Sequence, residues 1–186
     1  MDEKTDDLFE KGVSFYDQKN YTLAYEYFEK VITINPECED AHLNMGVMFF
    51  EQGKYDSASI CYHRILDINP KNADAYCNLG NIFLVQNKYD EAVYCYKKSI
   101  EFDPKQINAF YSLGGVCFLR EQYERALSCF QKVVTLDPCH KYALCALANV
   151  YKELGNIETA FEYLKSAARL GYEPAQELLK ANGQIW

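Results

Sequence analysis

Four prolines, Pro36, Pro70, Pro104 and Pro138, recur at intervals of 34 residues. A chain that repeats at such an interval is constrained to fold as a stack of like units, each leaning on its neighbours. The same interval carries Gly12, Gly46, Gly80 and Gly114, continued by Ala148, and it carries Ala24, Ala58, Ala92, Ala126 and Ala160. Two aromatic columns keep step: Tyr21, Tyr55, Tyr89 and Tyr123, then Ile157; and Phe28, Tyr62, Tyr96 and Phe130, then Leu164. Within a unit, apolar residues fall at helical spacing in two runs, which in the third unit are predicted as helices over 73–86 and 89–102. Gly80 then falls inside a helix, where glycine costs about 1 kcal/mol against alanine. The expected compensation is a close approach between the helices of Gly80 and Ala92, with Phe83, Tyr89 and Tyr96 filling the space around it. One helix pair cannot bury both of its faces, so the core forms only by stacking.

These columns resemble the tetratricopeptide repeat, whose pattern runs from an aromatic or Leu through Leu-Gly, an aromatic, a central Ala and a second aromatic to a closing Pro. The third unit nearly spells it with Tyr76, Leu79, Gly80, Phe83, Ala92, Tyr96 and Pro104. The fourth repeats it with Phe110, Leu113, Gly114, Ala126, Phe130 and Pro138. Lys11 stands where the first unit should carry Leu, His42 and Cys117 replace aromatics in the second and fourth, and Tyr172 replaces the last proline. Lys11 suggests a first helix that frays or is covered by a partner. The resemblance implies an all-α fold, a right-handed α-α superhelix of five helix pairs. The units are 5–38, 39–72, 73–106, 107–140 and 141–172, after a tail at 1–4 and before a capping helix and C-terminal tail at 173–186. Pro174 suits the start of that helix and Gly183 its stop.

Composition narrows the function. A chain of 186 residues with 49% hydrophobic content can bury a core without disulfides or metal. Its formal charge of −8 works against wrapping a polyanion, so no nucleic-acid partner is expected. The start Met1-Asp2-Glu3-Lys4 lacks the basic, then apolar, pattern of a secretory signal, and no run approaches the ~20 apolar residues of a membrane span. Eight cysteines without a C-x-x-C pair, many of them in apolar helical patterns, favour a reducing, cytoplasmic setting. Catalytic constellations are missing from the pattern. The three histidines form no metal-spaced set, Cys139-His140 reads as an inter-repeat turn, and the column Cys61, Cys95, Cys129 reads as a small semi-buried apolar site. The expectation is a non-enzyme with no cofactor and no metal.

In the family that the chain resembles, first helices line a concave groove. On the third unit the helix face opposite Gly80 and Phe83 carries Asp74, Asn78, Asn81 and Val85, at i, i+4, i+7 and i+11. The preceding unit supplies Asp40, Asn44, Val47 and Glu51, the next Asn108, Ser112, Gly115 and Leu119, and the fifth Asn149 and Glu153. An apolar shoulder of Phe9, Leu43, Cys77 and Tyr111 runs beside them. Asparagine donates and accepts at once, so Asn44, Asn78, Asn81 and Asn149 suit the backbone of an extended peptide. The acidic column Asp6, Asp40 and Asp74 favours a basic partner, or simply the helix N-termini where it lies. The candidate site is therefore Asp40, Leu43, Asn44, Val47, Asp74, Cys77, Asn78, Asn81, Asn108, Tyr111, Ser112 and Asn149. It would bind another protein, through a peptide or helix that is apolar with some basic residues. Lys152 is the clearest cation near the stripe, so the carboxylate clamp of chaperone adaptors is not expected. Two alternatives stay open: a self-assembling scaffold of the magnetosome-associated type, joined through the first repeat or Ile185 and Trp186, and the recognition module of a larger enzyme such as a glycosyltransferase.

Overall fold

The computed structural model describes residues 3–183, which form eleven helices with no strand among them. They are α1 (Glu3–Asp17), α2 (Tyr21–Ile34), α3 (Glu39–Glu51), α4 (Tyr55–Ile68), α5 (Ala73–Val85), α6 (Tyr89–Phe102), α7 (Ile107–Leu119), α8 (Tyr123–Leu136), α9 (Lys141–Glu153), α10 (Ile157–Arg169) and α11 (Glu173–Ala181). Several helices begin where a side chain accepts from an otherwise unpaired backbone N–H. Asn20 caps α2 by accepting from the N–H of Leu23, Asn72 caps α5 through Ala75, and Asn156 caps α10 through Thr159. The turn inside each pair needs one residue in the left-handed region. Lys19, Gly53, Asn87, Glu121 and Gly155 fill it, at φ of 58°, 71°, 59°, 58° and 79°. This column also keeps the period of 34, and only two of its five members are glycine.

The chain divides into two compact units, Met1–Phe102 and Asp103–Trp186. In the first, α1 packs on α2, α3 on α4 and α5 on α6. The pairs stack through α2 on α3 and α4 on α5, and the first helices adjoin, α1 with α3 and α3 with α5. The core is built on the wholly buried rings of Phe28, Tyr62 and Tyr96. These rings explain the glycine column. A Cβ added at Gly12, Gly46 or Gly80 would stand 2.7, 2.5 and 2.5 Å from the ring of Phe28, Tyr62 and Tyr96 respectively. The nearest neighbour of a Cβ at Gly80 is thus the Tyr96 ring, one of the side chains expected to fill the space there. Lys11 lies exposed on an unbroken α1 and pairs with Asp7 one turn away at 2.7 Å, so its presence does not interrupt the first helix.

In the second unit α7 packs on α8 and α9 on α10, while α8 meets α9 and α11 covers α10. Gly114 lies under Phe130, with 2.8 Å between its would-be Cβ and the ring. In the fifth pair both partners differ, Ala148 and Leu164 taking the places of glycine and ring. Gly171, at φ 77°, supplies the stop that proline supplies elsewhere, and α11 follows with Pro174 in its first turn and Ala175 and Leu179 buried. No helix among the described residues is long and apolar enough to cross a membrane.

Candidate functional site

Helical spacing sets Asp40, Asn44 and Val47 along one face of α3, and Asp74, Asn78 and Asn81 along the same face of the adjoining α5. Asp40 and Asp74 are exposed in the first turns of their helices, where the dipole favours a carboxylate. Asn78 is half-buried, and Val85 at the far end of the stripe is 45% exposed.

The four amides are not equivalent. Asn44 donates its side-chain N–H to the carbonyl of Asp40 at 2.8 Å, a bond within its own helix. Asn81 accepts from the phenol of the buried Tyr96 at 2.9 Å, which makes it a support for the core. That bond is particular to the third unit: the buried Tyr62 has Val47, without a side-chain acceptor, in the corresponding position. Asn149 is exposed on α9.

The apolar shoulder divides likewise. Leu43 is half-buried and packs against the core around Tyr62 and Leu79. Cys77 is 4% exposed, and burial, aided by the neighbouring Asp74 carboxylate, pushes its thiol up to about 12. It is a core residue, contrary to its expected place on an open shoulder, because inter-repeat packing closes over it. In the second unit Asn108 is exposed and Ser112 half-buried on α7. Tyr111 is half-buried, its ring centroid 5.6 Å from that of Phe130 and 5.3 Å from that of His140, so the ring is used in packing. Burial also raises its phenol above the ordinary value.

Several chemically reactive side chains have structural employment. His140 caps α9, its Nδ1 accepting from the N–H of Ala143 at 3.1 Å, as befits a turn residue. Nε2 of His42, 8% exposed, lies 3.0 Å from the carbonyl of Pro36. Burial pushes the thiols of Cys61 and Cys95 up to about 11, and a hydrogen bond with Cys117 together with burial raises that of Cys129. Among the described residues no group of three or more His, Cys, Asp or Glu is placed to hold a metal ion. Ile185 and Trp186 lie outside the described residues.

In the fifth pair the stripe's Asn149 borders a hollow. A cavity of about 380 Å³ opens between α9, α10 and α11, lined by Ala148, Asn149, Lys152, Phe161, Leu164 and Leu178 among others. Its signal in the sequence is the set of columns at which the fifth unit loses a ring.

Family profiles described as tetratricopeptide repeat match residues 9–59, 73–106, 107–139 and 129–162, and one described as TPR repeat matches 46–86. The chain belongs to the tetratricopeptide repeat family. Solved structures of such solenoids share its fold. A crystal structure of MamA protein aligns over 100% of this chain and 98% of its own, with TM-score 0.72 and 20% identity. One from the functional characterisation of pilF of Pseudomonas aeruginosa aligns over 90% and 77%, with TM-score 0.82 and 22% identity. The structure of YrrB, described as a TPR protein with an unusual peptide-binding site, aligns over 93% and 90%, with TM-score 0.68 and 19% identity. No curated protein matches the chain at a significant level. The fold of this tetratricopeptide repeat protein is therefore that of an all-α solenoid with tandem helix pairs.

Proposed function

We propose that the chain is a non-catalytic binding scaffold whose α3–α5 face takes an apolar segment of a partner protein bearing basic residues. The observation that carries this reading is the exposed pair Asp40 and Asp74 beside Val47, Asn78 and the 45%-exposed Val85 on adjoining helices. Acidic groups next to apolar ones attract a cationic segment and reward its burial. The peptide-binding site named for YrrB, which shares the fold, is in keeping with this use. A scaffold role also agrees with thiols held protonated by burial and with His42 and His140 spent on backbone groups. The buried thiols of Cys61, Cys77 and Cys95 suit a reducing, cytoplasmic setting. We read residues 5–172 as the five repeats and α11 as their cap, shielding the apolar side of α10.

Photo-crosslinking from position 78 in a native lysate, read by mass spectrometry, tests the site. Cross-links to a segment rich in apolar and basic residues, abolished by Asp40→Lys with Asp74→Lys, are expected. Cross-links that survive the charge reversal refute the electrostatic reading. If the captured segment is from this chain itself, the occupant is a second copy and the protein is a self-assembling scaffold.

A further inference from the structure

The fifth helix pair departs from its siblings at two columns that hold a ring in every other unit, and at a third where only the third unit, with Leu84, also lacks one. At the end of the first helix and the start of the second, Tyr16 meets Tyr21, Phe50 meets Tyr55 and Phe118 meets Tyr123, with ring centroids 6.1, 5.4 and 5.6 Å apart. The fifth pair has Lys152 and Ile157 there, and Leu164 where the others place Phe28, Tyr62, Tyr96 and Phe130. These losses coincide with the cavity of about 380 Å³, whose walls include Ala148, Ile157, Ala160, Phe161, Leu164 and Leu178. Ile157 and Leu178 are 50% and 49% exposed, so apolar wall is open to solvent. The lining contains a single charged side chain, the exposed Lys152, with the amides Asn149 and Asn182 beside it. An apolar hollow with a cation at its edge is complementary to a ring with an adjacent carboxylate.

We propose that this cavity is a docking site for an acidic–aromatic segment of a partner protein, which inserts the ring that the fifth pair lacks and sets a carboxylate on Lys152. The site lies wholly within the second unit and is independent of the α3–α5 face, whose acidic residues select the opposite charge.

The test is a methyl NMR titration of the full chain with the peptide acetyl-Gly-Asp-Phe-Asp-Gly-amide. Saturable shifts at the methyls of Ile157, Leu164 and Leu178 are expected. Replacing Phe by Ala, or both Asp by Lys, in the peptide should weaken binding by roughly tenfold or more, as should Lys152→Glu in the protein. A second variant, Lys152→Phe with Ile157→Tyr, rebuilds the ring pair of the first, second and fourth units; it should abolish the shifts while keeping or raising the thermal midpoint. Absence of shifts at these methyls overturns the proposal, as do shifts that persist in the rebuilt variant. Deleting residues 184–186 should change affinity by less than about threefold; a gain of more than roughly tenfold assigns the cavity to the chain's own end and likewise overturns it.

Discussion

Gly114 and Gly115 are neighbours in one helix, yet opposite outcomes are expected from the same substitution. A Cβ at position 114 meets the Phe130 ring at 2.8 Å, whereas one at position 115 meets nothing within 4 Å. Overpacking costs about 1–3 kcal/mol and exceeds the roughly 1 kcal/mol that alanine gains in a helix, so Gly114→Ala should lower the unfolding free energy. Gly115→Ala should raise it by about 0.5–1 kcal/mol, and denaturant titration of both variants checks the sign. Asn81 is the second residue whose role is structural. Asn81→Ala removes the acceptor of the Tyr96 phenol and should cost about 1–2 kcal/mol, restored largely by Tyr96→Phe in the double variant, since Phe28 and Phe130 occupy the same column. Additive losses in that cycle would show that the bond is not the cause. Ser99 carries a buried hydroxyl with no hydrogen-bond partner, in a column otherwise filled by Val31, Ile65, Val133 and Ala167. Ser99→Val should therefore stabilise.

At the scale of the element, the decisive position is the left-handed residue in the turn between paired helices. Residues with a Cβ lose about 1–2 kcal/mol there, partly offset by the roughly 0.4–1 kcal/mol of backbone entropy that glycine surrenders on folding. Glu121→Gly should thus raise the thermal midpoint and Gly53→Ala should lower it, while the φ of 59° at Asn87 uses a residue that tolerates the region. Equal midpoints for Glu121→Gly and the parent would mean that the turn is not strained. The helices themselves need little from their surface ion pairs, such as Lys98–Glu101 and Lys165–Glu162, which span one turn and are worth only tenths of a kcal/mol.

For the molecule as a whole, buried thiols set an alkaline limit. Cys61, Cys77 and Cys95 stay protonated in the fold up to about 11, 12 and 11, whereas an unfolded thiol titrates near 8.5. Above that lower value the unfolded chain holds fewer protons, so the thiols' contribution is fully present below about pH 8.5 and is lost as pH rises toward 11–12. Urea midpoints measured from pH 7.5 to 10.5 should fall steadily over the upper half of the range. At pH 8 iodoacetamide should modify the exposed Cys139 first and leave Cys61, Cys77 and Cys95 untouched until unfolding. Light scattering over a concentration range, on the parent and on a chain lacking residues 184–186, decides self-assembly: a constant monomer mass in both refutes it.

The spacing of Pro, Gly, Ala and aromatic residues by itself determined the fold, because each of those columns answers a local demand of a helix pair: a stop, a gap, a contact and a filling ring. It also located the exposed carboxylates Asp40 and Asp74, since helical periodicity alone says which residues share a face. Which amides are already spent, and that Cys77 is covered, were decided only by tertiary packing. Burial and hydrogen bonding depend on groups brought together from other helices, and no spacing along one helix reports them. The cavity beside Lys152 belongs to the same class: the residues that line it can be read from the columns of the fifth unit, but emptiness is a property of the space between helices.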